Sequence, residues 1–404
     1  MPVYWIWFAQ LKGINLWTKR QLLEAFHDPE ELFLAEEKAL QTFPKEVANA
    51  LQDKDLMQSK QIYDLCMKKG IGILTFADAA FPESLRNIED PPMVLYYKGS
   101  LPDWQAQPVI GVVGTRKASS YGLQTAHLFG SEIAVCGGLV VSGVATGIDG
   151  KAMEGALDAG KPTVGVLGGG VDVVYPVSNR ILYRRTEENG CLISEYPPES
   201  RPYPGNFLQR NRIISGISQG LLVVEAPEKS GALNTARHGF SQGRDLFVVP
   251  GNLGVDTCRG SNALLQEGAY AALSGWDVVK HYENLYPGVV ANRPVTLRKN
   301  FQQPQVKVAE ETRMPKTGEN KKHALPQNVI DNLDKSTYSV INKRPADLSD
   351  RENAVLALLS DVPQLPDSVM DASDLPSSTV QSILTKLTIK GLVIQHPDGR
   401  ISRK

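Results

Sequence analysis

An α/β protein with a parallel-rich sheet, flanked by an N-terminal helical domain and a C-terminal winged helix, is what this sequence predicts. Three observations lead there. Six apolar runs, VIGVVG, GLVVSG, TVGVLGGG, CLISEY, GLLVVEA and DLFVVPG, recur between residues 90 and 285, and most alternate with helix-patterned segments. Val/Ile/Leu runs without polar alternation are buried on both faces, as in a parallel sheet covered by helices. Before and after this region the pattern becomes helical, ending in a hairpin signal.

The 404-residue chain exceeds the roughly 100–200 residues of one domain. Its net charge of −1 excludes a wholesale basic nucleic-acid carrier, so any such contact must come from a local patch. The apolar start MPVYWIWFAQLKGINLW has no basic n-region or small-residue cleavage site, so it does not read as a signal peptide. No apolar run approaches the roughly 18 residues of a membrane span. Cys66, Cys136, Cys191 and Cys258 are scattered without a C-x-x-C pair. Buried free thiols in a cytoplasmic protein are expected, with no membrane contact and no metal.

In chain order, residues 1–80 carry Leu22, Leu23, Phe26, Leu32, Phe33, Ala35 and Leu40 at helical intervals, with Asp28-Pro29 as a helix start. Leu11-Lys12-Gly13-Ile14 ahead of a second helix resembles a helix-hairpin-helix or SAM-like bundle; a plain helical packing domain is the alternative. Residues 81–286 form the sheet domain, with MVLYYKG (93–99) expected at an edge. Residues 287–345 are rich in Pro, Gln, Lys and Asn and read as a disordered linker. In 346–404 a helix over 350–359 and an acidic, Pro-containing stretch precede a helix over 377–390. Val380, Ile383, Leu384 and Leu387 line one face of that helix. GLVIQ and RISRK then flank the turn HPDG, which completes a winged helix. Such a unit docks on DNA or on protein, and both stay open.

The glycine turns exclude two ligand classes. Gly111 and Gly114 are separated by two residues, Arg116 and Lys117 fill the turn, and Ser142-Gly143 ends the second strand without a ribose-binding carboxylate. That is not a dinucleotide fingerprint, and no Walker-type loop is present. No cofactor is expected. What remains is an anion site: helix-start N–H groups, the Arg116 fork, and the hydroxyls of Thr115, Ser119 and Ser120. The alternative is that Arg116 pairs with a structural carboxylate.

Other turns should gather at the same sheet edge. SGVATGID (142–149) offers Ser142, Gly143 and Gly147, with Asp149 as a cap or loop support. LGGGVDVVYP (167–176) permits close backbone approach. EKSGALNTARHG (228–239) adds Ser230, Gly231 and Thr235. Several cradles at one edge suit a polymer backbone better than a small cofactor. In FLQRNRIISGIS (207–218), Arg210 and Arg212 straddle Asn211, and Phe207 shares a helical face with Arg210. A base-stacking ring beside a phosphate-binding arginine is one reading; a core Phe207 and a structurally paired arginine is the other. GISQG (216–220) matches a nucleophile elbow in letters, but a helix precedes it and a strand follows, which is the wrong order. Glu195 and Glu225, at two strand ends, read as supports for loop amides.

GTRKASSYG, SGVATGIDGKAMEGAL, LGGGVDVVYPVSN, LISEYP, RNRIISGIS, VVEAPEKSGALNTAR and VPGNLGVDTCRGSN follow one another in an order that resembles the DprA/Smf family. The resemblance covers about 90–275, and both flanking regions resemble longer members. It implies an extended Rossmann-like domain that binds single-stranded DNA, forms a homodimer and helps load the RecA recombinase in natural transformation, without catalysis. Gly114, Thr115 and Arg116 match the family's Gly-Ser-Arg loop, whose arginine contacts DNA. Ser142, Gly143 and Asp149 match its Ser-Gly-x-Ala-x-Gly-Ile-Asp motif. Arg210-Asn211-Arg212 matches its Arg-Asn-Arg, and Ser230-Gly231 its Ser-Gly turn. Met153 departs from a common histidine, Val177 from a common basic residue and Asn234 from an aliphatic one. Two other readings are weighed: a nucleotide-processing enzyme of the related lysine-decarboxylase-like phosphoribohydrolases, using Glu195 and Glu225, and a partner-docking scaffold.

Overall fold

A computed structural model describes residues 1–40, 43–289, 350–373, 375, 377–389, 392–396 and 400–403. The linker reading for 287–345 and the tip of the HPDG turn fall outside these residues, apart from 287–289 and His396. The chain divides into two compact units, Met1–Lys307 and Val308–Lys404.

The first unit opens with six helices: α1 (Pro2–Gln10), α2 (Leu16–Phe26), α3 (Pro29–Leu34), α4 (Glu37–Leu40), α5 (Lys45–Leu51) and α6 (Met57–Lys69). Asp28 caps α3 by accepting the Glu30 N–H, as the Asp-Pro pair predicts. Gly70, at φ +62°, ends α6 in the left-handed region. Trp5, Phe8, Leu22 and Cys66 share one buried cluster with Val94, Tyr96 and Leu192 of the sheet. The helical region is thus a layer on the sheet, and residue 80 marks no break in the core.

The sheet region runs β1 (Gly72–Thr75), α7 (Glu83–Arg86), β2 (Val94–Gly99), β3 (Val109–Val113), α8 (Ser120–Val135), β4 (Leu139–Ser142), α9 (Ile148–Asp158) and β5 (Thr163–Leu167). It continues with α10 (Arg180–Asn189), β6 (Cys191–Ser194), α11 (Pro204–Ile217), β7 (Gly220–Val223) and α12 (Gly231–Ser241). It closes with β8 (Asp245–Val248), α13 (Asp256–Gln266), β9 (Tyr270–Ala271) and α14 (Gly275–Val279). The nine strands lie in the order β1-β2-β6-β5-β4-β3-β7-β8-β9. All six apolar runs are strands, β3 to β8, and every pairing from β6 through β9 is parallel.

One expectation is corrected. MVLYYKG is not at the edge: β2 pairs antiparallel with β6 on one side and with β1 on the other. The outer strand is GILT, four residues following a helix, too short for alternation to distinguish it from the helical pattern. The chain moves outward from β3 to β4 in one direction and to β7 in the other. The carboxyl ends of β3 and β7 therefore flank a topological switch point, the usual ligand crevice of such sheets.

The second unit comprises α15 (Asp350–Ala357), α16 (Pro366–Asp371), α17 (Ser377–Ile389), β10 (Val393–Gln395) and β11 (Ile401–Arg403). The two strands pair antiparallel, Val393 opposite Arg403. Val355, Val369, Val380, Ile383, Leu384, Leu387, Val393 and Ile401 form its core. The apolar face expected on 377–390 is thus the buried one. The Pro-containing stretch holds an additional short helix, α16, started by Pro366 at its first turn.

Candidate nucleic-acid interface

The crevice between β3 and β7 is closed by the chain itself. Glu225 follows β7 and is 2% exposed. Its carboxylate accepts the Ser119 N–H at 2.9 Å and the Ser119 hydroxyl at 2.5 Å, at the start of α8. Its carbonyl accepts the Thr115 N–H at 2.7 Å. A Cβ on Gly122 would collide with the same carboxylate. A negative group at a helix N-terminus is favoured by the orphan N–H groups there. Glu225 thus sits where a dinucleotide fold would hold pyrophosphate. Ser119 also caps α8 by accepting the Gly122 N–H.

A second buried charge joins the neighbouring loops. Asp149 accepts the N–H groups of Gly114 at 3.3 Å and Gly143 at 3.2 Å, tying the β3 and β4 turns together. Burial raises its pKa, and the Arg210 guanidinium opposes that rise. Arg210 is 4% exposed and donates to the Val166 carbonyl of β5. A Cβ on Gly143 would run into Arg210 and Asp149 together, so glycine is required there. Gly147, at φ +83°, starts α9 against the carbonyls of Thr115 and Arg116.

Several residues that the sequence reading assigns to the DNA face are committed internally. Arg212 grips Glu195 with Nη2 at 2.7 and 2.6 Å from the two carboxylate oxygens, and its Nε lies 3.1 Å from Asp90. Asn211 donates to the Gly231 carbonyl and to Asn234 Oδ1, both at 3.2 Å. The Ser142 hydroxyl donates to the Val112 carbonyl at 2.5 Å, and Thr235 Oγ1 to the Gly231 carbonyl at 3.4 Å. The physical reason is their position on a buried helix face or strand end, where polar groups must find partners within the protein.

What faces solvent is smaller. Arg116 is exposed, and its guanidinium carbon lies 4.9 Å from the centroid of the Phe207 ring. The Tyr175 ring also packs on Phe207, 5.5 Å between centroids and tilted by 35°. Phe207 is half-buried in the first turn of α11, which Asn206 anchors by donating to the Gly168 carbonyl at 3.1 Å. Phe207 therefore takes its cation from Arg116, 91 positions away in the chain, rather than from Arg210 one helical turn on. Ser230 caps α12 through the Ala232 N–H, and Gly231 beside it borders open space. Thr115 is buried, with Oγ1 accepting the Lys117 N–H at 3.2 Å.

The departures acquire places. Met153 is fully buried in the core, and Val177 is 66% exposed. Asn234 supplies the acceptor for Asn211. Tyr175 is the residue that sequence reasoning passed over. Its only signal was an aromatic residue at the end of a glycine-rich turn, with nothing in the spacing to link it to Phe207.

Comparison with known proteins gives this arrangement a family. Residues 72–283 match the family described as DNA recombination-mediator protein A, and residues 342–399 match the DprA winged helix domain. A protein Smf of Synechocystis is 31% identical over 99% of this chain and 98% of its own length. The DNA processing protein DprA of Bacillus subtilis is 40% identical over 52% of this chain and 71% of its own. The crystal structure of DprA from Streptococcus pneumoniae superimposes with a TM-score of 0.60 at 30% identity, covering 69% of this chain and 98% of that one. With its sheet, its turns and its winged helix all matched, the chain belongs to the DprA/Smf family of DNA-processing, recombination-mediator proteins.

Proposed function

We propose that this protein binds single-stranded DNA without sequence preference, protects it and helps load the RecA recombinase during natural transformation. The observation that carries the reading is Arg116: an exposed guanidinium held over an aromatic ring at the carboxyl edge of the sheet. Such a pair can grip a phosphodiester and border an unstacked base at once. Glu225 supports a polymer over a dinucleotide, because its carboxylate already occupies the start of α8. Gly114, Gly147 and Gly231 complete the strand's path in this reading, with Ser230 holding the start of α12. Ser142, Gly143, Asn211, Thr235 and the Arg210–Asp149 and Arg212–Glu195 pairs hold the turns in shape.

The proposed role is binding rather than catalysis. The two carboxylates weighed for an enzyme, Glu195 and Glu225, are engaged by Arg212 and Ser119. Incubation with nucleoside monophosphates should release no free base. We place the activity in the cytoplasm, in a homodimer formed through the first unit; light scattering on the purified chain should give twice the monomer mass. No helix among the described residues is long and apolar enough to cross a membrane.

Fluorescence anisotropy with oligo-dT and with a duplex of equal length tests the central claim. Tight, salt-sensitive binding to the single strand is expected. Equal weak affinity for both would remove it. The loading claim predicts faster RecA filament growth on strands coated with single-strand binding protein; unchanged growth would leave binding alone.

A further inference from the structure

Resting on that single-strand reading, we propose that Tyr175 is the platform on which a nucleobase of the bound strand stacks. Phe207 is then the positioning residue between the platform and the phosphate-binding Arg116.

Four observations carry this. The first is exposure: Phe207 is half-buried and already packed by Arg116 and Tyr175, whereas Tyr175 is 45% exposed. Of these two stacked rings, the surface still available to a ligand therefore belongs mainly to Tyr175. The second is rigidity. Tyr183, buried on α10, holds the Tyr175 backbone from both sides. Its hydroxyl donates to the Tyr175 carbonyl at 2.9 Å and accepts the Tyr175 N–H at 3.3 Å. A ring mounted on a clamped backbone loses little freedom when a base settles on it.

The third observation is distance. Arg116 and Tyr175 both touch one phenyl ring, so a cation and an exposed ring stand about one side chain apart. A nucleotide presents its phosphate and its base on that scale. The fourth is the immediate surroundings. Val177, two residues on, is exposed and apolar, and so is Ile181 at the start of α10. Val177 and Ile181 offer a base apolar surface, and the exposed Arg180 between them in the chain leaves a cation for the adjoining phosphate. Every base has a π-face, so this contact keeps the binding indifferent to sequence.

The test uses the full chain and two ligands of equal length, oligo-dT and an abasic strand with the same phosphates. Wild type should bind oligo-dT the more tightly. Tyr175→Ala should lose about tenfold on oligo-dT and almost nothing on the abasic strand. Tyr175→Phe should retain wild-type affinity on both, while Arg116→Ala should weaken both. A strand carrying 2-aminopurine provides a second readout, with fluorescence quenched by wild type and by Tyr175→Phe but not by Tyr175→Leu. Undiminished oligo-dT binding by Tyr175→Ala, or equal weakening on both ligands, overturns the platform while leaving single-strand binding in place. Failure of wild type to prefer single strands over duplex removes the functional reading and the platform together.

Discussion

The loop after β3 and the helix α11 each bring arginine to the same end of the sheet, and they use it in opposite ways. Arg116 lies on an aromatic ring with its guanidinium open to solvent. Arg210 and Arg212, in the same neighbourhood, are buried against Asp149 and Glu195. A guanidinium inside the protein must be neutralised and hydrogen-bonded, or its desolvation overwhelms the fold. One at the rim keeps its hydration and stays free for a ligand. Position relative to the sheet, not residue type or motif, decides whether a charge is neutralised inside the fold or left facing solvent.

The sharpest way to break this comparison is Arg210→Ala. Removing the guanidinium leaves the Asp149 carboxyl buried without its nearer and larger counter-charge, and a loss of about 3–5 kcal/mol in a denaturant titration is expected. An unchanged midpoint would place Arg210 with the ligand-facing group.

Lys19 is a third buried cation and gives the next effect. Its Nζ donates to the Ala9 carbonyl at 2.8 Å, and burial pushes its pKa down to about 8 against an ordinary 10.5. Between these values the unfolded chain binds the proton more tightly, so stability rises with pH across that window. Relative to Lys19→Met, wild type should regain up to about 3 kcal/mol between pH 7 and pH 11, on melting curves. A flat difference would mean that Lys19 is not desolvated.

Arg116→Ala should weaken single-strand binding about tenfold whatever the sequence, and lower the salt slope by about one. Its stability should stay within about 0.5 kcal/mol of wild type, as for an exposed site. The smallest effect is expected at Ser230, the cap of α12. Ser230→Ala should cost about 1 kcal/mol of stability, largely restored by Ser230→Asp. Weakened DNA binding at unchanged stability would move Ser230 to the Arg116 side of the comparison.

The parallel strands were legible because burial on both faces leaves no polar alternation, a signal each run carries locally. GILT was hidden, because four residues after a helix cannot display a period. The apolar face of α17 was readable from its 3.6-residue spacing, while α16, six residues in an acidic stretch, was not. At the site, Asp149 as a loop support follows from its place at a helix start, and both of its N–H partners lie in glycine turns. The grouping of Arg116, Phe207 and Tyr175 depends on three crossovers of the sheet, and no local pattern encodes it.

The order of turns along the chain determined by itself that this is a mostly parallel α/β protein without a dinucleotide fingerprint, because periodicity and glycine spacing act over a few residues. Tertiary structure decided which charges reach water. Glu225 meets α8, Arg212 meets Glu195 and Arg116 meets Phe207 only once the strands are laid side by side. Solvation of a charge depends on what surrounds it in space, and neighbours in space are set by the fold rather than by the sequence alongside.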